Sequence, residues 1–220
     1  MSYLLYGIVR QDSAGGPPGT RLITAQGLAA VVSAVEERSA RPSVSSLLAY
    51  ERVVEAIHAR QAVIPLRYGC VMEDEPAVVR HLENRHPEYG ALLARLLGMT
   101  EMGIRVLWPA RDGVPPDAPA SPGAAYLASL RNRYPSAGSL DGEEKQLADR
   151  IIGWLSGCST GQQKEVSSSS QRRLLSLYFL TPKTGVARFR SKARKISPPS
   201  GAKLLLSGPW PPYNFAGWAE

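Results

Sequence analysis

The sequence predicts an α+β fold in two domains, joined by a stiff Pro-rich linker and closed by a tail of prolines and aromatic residues. Three observations carry this. Short apolar runs alternate with stretches whose apolar residues recur every three or four positions, five prolines crowd residues 109–122, and the chain closes on Gly208-Pro209-Trp210-Pro211-Pro212-Tyr213-Asn214-Phe215. A length of 220 residues suits one large domain or two small ones, and 44% apolar against 20% charged residues excludes a disordered polymer.

Tyr3–Val9 is a short run of Tyr, Leu, Ile and Val and is predicted as a buried strand, followed by a loop over Ser13–Gly19. Arg21–Thr24 and Leu28–Val35 are predicted as two strands of a hairpin around Ala25-Gln26-Gly27. Over Ser45–Ala59, Leu47, Tyr50, Val54 and Ile57 mark one stripe of a helix that Ser43 or Ser45 is placed to cap. Ala62–Val71 reads as a strand in which Pro65, lacking an N–H, argues for an edge or a bulge. Asp74-Glu75-Pro76 opens a helix buried through Val78, Val79 and Leu82. Pro87 opens another, with Tyr89, Leu92, Leu93, Leu96 and Leu97 on one face and Gly98 at its end. Gly103–Trp108 is a strand, expected to close the first domain at residue 108.

Residues 109–123 are then the linker, 124–207 the second domain and 208–220 the tail, which is expected to pack between the domains. Within the second domain, Ala124–Arg133 is a short helix, and a longer one follows the Asp141–Glu144 cap with Leu147, Ile151 and Leu155 buried. Thr160–Ser170 reads as a polar loop and Leu174–Leu180 as a buried strand. A helix then carries Val186, Phe189, Ala193 and Ile196 inward, and Lys203–Leu206 is the last strand.

The net charge of +7 is uneven. Residues 1–110 hold 11 Arg, no Lys and 11 acids, so the excess lies entirely in residues 111–220. Arg188, Arg190, Lys192, Arg194 and Lys195 fall on the outer face of one helix; they are either a solvated face or a dock for an anionic partner such as nucleic acid. No aromatic residue is interleaved on that face for base stacking, which argues against nucleic acid. No apolar stretch approaches the ~18 residues of a membrane span, and MSYLLYGIVR lacks the form of a secretory signal. The chain therefore reads as cytosolic, with Cys70 and Cys158 as free thiols.

Enzyme motifs fail their spacing tests. His81-x4-His86 does not share one helical face and His58 stands apart, so no metal is expected; there is no phosphate-binding loop, dinucleotide turn or nucleophile elbow, so no cofactor is expected. Glu73-Asp74-Glu75 suits a helix N-terminus better than an acid/base cluster, and Cys70 has no base beside it in sequence, leaving a small hydrolase as the weakest reading.

Four stretches together resemble the GvpF/GvpL family of gas vesicle proteins. Tyr3–Val9 looks like the family's first strand and Gly27–Ser33 like its glycine-led third; Ile64-Pro65-Leu66-Arg67-Tyr68-Gly69 is similar to its P-L-R-[FY]-G element. Leu96–Glu101 with Ile104-Arg105-Val106 resembles its G-x-x-E strand entry, and the closing octapeptide is close to its G-P-W-P-P-Y-x-F signature. The resemblance implies a non-enzymatic, cytosolic accessory or minor structural protein of the gas vesicle, with a ferredoxin-like second domain. It implies as partners the gas vesicle shell protein and other accessory proteins. In the signature, Pro209, Pro211 and Pro212 hold the backbone extended without a ladder, so that Trp210, Tyr213 and Phe215 either lock the tail down or present a sticky face to the shell protein. Arg67 and Glu101, the charges inside strand-like motifs, either pair with each other or face solvent.

Overall fold

A computed structural model describes residues 1–12, 15–35, 43–108, 142–169 and 172–217. The chain divides into two compact units, Met1–Glu101 with Pro209–Glu220, and Met102–Gly208. These divisions fall at 101/102 and 208/209, not at the expected 108, 124 and 207; the expected linker 109–123 and the helix over 124–133 lie outside the described residues.

In the first unit, strands β1 (Ser2–Arg10), β2 (Arg21–Ala25), β3 (Leu28–Val35) and β4 (Ile64–Pro65) form a sheet in the order β2-β3-β1-β4, with β5 (Val71–Met72) also paired to β1. The β2–β3 hairpin turns on Gln26 and Gly27, both at positive φ (49° and 80°), which matches the twist a two-residue turn must supply. The register of β1 on β3 shifts between Leu5 and Gly7. That bulge releases Tyr6 to stack on Tyr50 with centroids 4.9 Å apart. Tyr50 lies on helix α1 (Val44–Arg60), which Ser43 opens with a capping box closed by Ser46.

The expected strand over Ala62–Val71 is two short pieces with a turn between them. Pro65 has no N–H to continue the ladder, and Gly69 at φ 91° lets Cys70 N–H reach Arg67 O at 3.2 Å. Helices α2 (Glu75–Asn84) and α3 (His86–Leu96) follow as the periodicity requires, α2 capped by Asp74 Oδ1 accepting Ala77 N–H at 2.7 Å.

Strand β6 (Met99–Trp108), given to the first domain by sequence reading, pairs instead in a second sheet of order β7-β8-β6-β9. The reason is its apolar face: Met102, Ile104 and Val106 share a core with Leu175, Leu177 and Phe179 of β8 (Arg172–Pro182). Helices α4 (Gly142–Leu155) and α5 (Val186–Ala193) complete that core through Leu147, Ala148, Ile151 and Phe189, whose ring meets Phe179 edge-on at 5.3 Å. Strand β7 (Gly161–Ser169) corrects the expected polar loop: it pairs antiparallel with β8 along its whole length. Among the described residues it is an edge strand, so its polar residues are compatible with pairing, and only the partner strand reveals it. The last strand, β9 (Lys203–Trp210), runs into the closing signature, so Pro209 and Trp210 belong to a strand. Both cysteines are free thiols.

Gly7 has a steric reason. A Cβ there lies 2.6 Å from Val63 Cγ2 and 2.9 Å from Ile64 O, within the packing of β1 on β4. Gly7→Ala is expected to cost about 1–3 kcal/mol, as overpacking of a filled interior does, read as a lowered midpoint of thermal unfolding.

Candidate functional site

The closing signature and the motif around Glu101 meet within the first unit. Glu101 is 4% exposed, and burying a carboxylate is costly unless donors face it. Asn214 supplies two: its backbone N–H donates to Oε2 at 2.8 Å and its Nδ2 to Oε1 at 2.7 Å. One residue earlier, the Thr100 hydroxyl donates to Trp210 O at 2.9 Å. That hydroxyl has one proton, so it accepts from Nε2 of His58, 3.3 Å away on α1. The tail is thus held at both ends of a five-residue stretch by consecutive residues of β6.

The structure separates the signature's rings. Phe215 is 2% exposed and Pro211 and Pro212 are buried, Tyr213 is half-buried, and Trp210 is 45% exposed. Phe215 with the two prolines is therefore the apolar anchor, while much of the Trp210 ring remains on the surface. Burial is the main cause that pushes the Tyr213 hydroxyl well above its ordinary range, reinforced by Glu51, Glu55 and Glu101. It stays neutral and is no acid/base group at physiological pH.

Beside the end of the tail lies a cavity of about 340 Å³, lined by residues 64–70, by His81, Arg85 and Tyr89, and by Ala216 and Gly217. The P-L-R-Y-G element forms one wall, and three contacts fix it. Leu66 N–H donates to Tyr6 O at 3.0 Å, Leu5 N–H to Cys70 O at 2.9 Å, and the Tyr50 hydroxyl shares its one proton between Leu66 O and Leu5 O, each 2.9 Å away. The turn closed by Gly69 carries the exposed Arg67. On the helical wall, His81 Nε2 and the Tyr89 hydroxyl lie 2.7 Å apart, and the Arg85 guanidinium sits 5.8 Å from the centre of the Tyr89 ring. Burial, then the charge of Arg85, lowers the His81 pKa against a smaller opposing pull from Glu88. His81 is therefore neutral at pH 7 and accepts from the Tyr89 O–H. Burial pushes the Cys70 thiol up, away from the thiolate that a nucleophile needs. Neither Cys70 nor His81 is thereby set up as a nucleophile or as a charged acid at pH 7.

The basic face in the second unit is partly absorbed by internal bonds. Arg190 Nη2 donates to Gly208 O at 2.7 Å. Lys192 Nζ donates to Trp154 O at 3.1 Å and lies 5.3 Å from the centre of its ring, while Trp154 Nε1 donates back to Lys192 O at 3.1 Å. Arg188, Arg194 and Lys195 are exposed. Among the described residues no group of three or more His, Cys, Asp or Glu is arranged to hold a metal, and no helix is long and apolar enough to cross a membrane.

Sequence reasoning singled out Glu101 but missed Asn214 and Thr100. The available signal was Glu101 itself, an acid inside an apolar strand motif, which demands donors. Which donors answer depends on contacts 113 residues apart.

The family model described as "Gas vesicle synthesis protein GvpL/GvpF" matches residues 2–217. Gas vesicle protein L of Streptomyces sp. (strain CB03234) is 31% identical, covering 78% of this chain and 69% of that protein. Gas vesicle protein F of the same strain is 28% identical over 98% of this chain and 99% of its own length. In fold, the chain is similar to the crystal structure of the gas vesicle protein GvpF from Anabaena sp. PCC7120, with a TM-score of 0.70 and 18% identity over 100% of this chain and 97% of that one.

Two outcomes are expected. Asn214→Ala removes the Nδ2 donor from Glu101 while keeping the backbone N–H, and lowers stability by about 1.5–3 kcal/mol, the range for a hydrogen bond to a charged group; denaturant unfolding of the full chain reads it. For His81 the depressed folded-state pKa means that the unfolded chain binds the proton first as pH falls below about 6.5. Stability therefore drops with acidification through that window until the folded pKa is reached, and the drop between pH 7 and 5.5 is smaller in His81→Gln.

Proposed function

The chain belongs to the GvpL/GvpF family of gas vesicle synthesis proteins, and from that premise we propose that it is an accessory or minor structural protein that binds the shell protein and other accessory proteins during gas vesicle assembly. It works without catalysis, in the cytoplasm and at the vesicle. The observation that carries this reading is strand β9. It ends the sheet order β7-β8-β6-β9 among the described residues, and its Leu205 is 55% exposed. An apolar edge strand is an aggregation hazard unless something covers it, and it accepts an extended segment of another polypeptide by main-chain hydrogen bonding. A small apolar shell subunit, prone to aggregate alone, is a partner suited to such an edge.

The described elements of the second unit run β6, α4, β7, β8, α5, β9. We read this β-α-β-β-α-β succession as the ferredoxin-like arrangement, a scaffold that leaves the sheet edges available. The basic helix face, with Arg190 and Lys192 engaged internally, supports a solvated surface rather than a nucleic-acid dock.

Affinity purification of the full chain from cells co-expressing the shell protein and the other accessory proteins is expected to bring down the shell protein at low salt. Leu205→Lys, a charge on the edge that leaves the core untouched, is expected to reduce capture with an unchanged melting temperature. Failure of the unaltered chain to retain shell protein under these conditions overturns the reading.

A further inference from the structure

The cavity beside the tail has no task in the shell-binding reading, and its chemistry is specific. Its charged lining residues are Arg67, which already holds a contact within the chain but has five N–H donors to share, and Arg85; no carboxylate is among the residues that line it. Glu88 approaches Arg85 at Nε, 3.6 Å away, longer than a charge-assisted hydrogen bond. The remaining polar wall is the neutral His81–Tyr89 pair, which adds no negative charge. Ile64, Pro65 and Leu66 make the rest of the wall apolar. Two guanidiniums over an apolar wall suit a carboxylate carried on a hydrocarbon stem: the fork of Arg binds the two oxygens, and the methylenes cover Pro65 and Leu66. A bare inorganic anion satisfies only half of that surface.

We propose that this cavity is a docking site for a glutamate-bearing acidic segment of a partner polypeptide, gripped by Arg67 and Arg85. The proposal rests on the reading of the chain as a partner-binding protein and assigns it a second, electrostatic contact in the first unit, separate from the apolar edge of β9. The rigidity of the wall favours it. The turn carrying Arg67 is tied to β1 on either side, at Leu66 and Cys70, so little ordering remains to be lost on binding. The charge that matters is local. Residues 1–110, which supply all of the lining but Ala216 and Gly217, have no net charge, so the site discriminates by geometry, not by a general positive field.

Fluorescence anisotropy of the full chain at low salt, with a fluorescein-labelled GELELEG peptide as probe and its GQLQLQG counterpart as control, tests this. Binding of the acidic peptide is expected, about tenfold weaker in Arg67→Gln and in Arg85→Gln and unchanged in the double variant Arg188→Gln/Lys195→Gln, which removes charge from the other basic surface. Thermal melts of each variant separate lost binding from lost folding. Equal binding of the glutamine peptide, full affinity in Arg67→Gln, or loss in Arg188→Gln/Lys195→Gln overturns the proposal. Displacement by inorganic phosphate at the same concentration as by unlabelled peptide also overturns it, in favour of a small-anion site. Shell-protein capture by the unaltered chain is read separately. Its failure sinks the shell-binding reading and leaves the peptide result standing, whereas intact capture with no peptide binding sinks the cavity proposal alone.

Discussion

A buried carboxylate that must find donors is the constraint on which the first unit depends. Glu101 sits at the end of its first segment, and the groups that satisfy it come from Asn214, 113 residues later. Until the C-terminal segment arrives, the unit carries a buried charge without these donors and a Thr100 hydroxyl without the Trp210 carbonyl. The end of the chain is thus a structural member of its beginning. Closing so long a loop is slow compared with the local hairpin and helices, which places tail docking late in folding.

The tail suits that role because its prolines restrict the unfolded chain as well as the folded one, so docking orders few new torsions. Its aromatics then divide the labour. Phe215 enters the apolar interior, Tyr213 is half-covered beside acidic neighbours, and Trp210 is held by its backbone while much of its ring stays in solvent. A sequence motif that looks uniform is an anchor at one end and a surface at the other.

Charge follows the same logic of local placement. The basic excess lies wholly in the second half, yet several of its cations are engaged at home. Arg190 caps a carbonyl, Lys192 and Trp154 clamp α5 to α4, and Arg173 meets the buried Glu144 at 2.7 Å. In the first half, where the net charge vanishes, two arginines converge on one cavity. Net charge sets a long-range field, but a site is made by which cations a fold brings to the same wall.

Much of the local structure was legible in the residues: the Gln26-Gly27 hairpin, the helix start at Asp74, one of the two serines offered as the α1 cap, and the stripes of α1, α3 and α5 follow from propensities acting within a few positions, except that Leu47 and Leu97, expected on the α1 and α3 stripes, are exposed. So did the family, because its closing octapeptide and its P-L-R-Y-G element are short and specific. The pairing of β6 was not legible. An apolar strand satisfies either sheet until the partner strands are known, and the polar β7 becomes a strand only because β8 offers it a ladder. Nor was the use of Asn214 or the meeting of Arg67, Arg85 and His81 visible in sequence. The chain's order determines what each segment can form by itself. Which distant donor answers a buried acid, and which cations share a wall, is decided by burial, because only the desolvated interior makes an unanswered polar group too costly to tolerate.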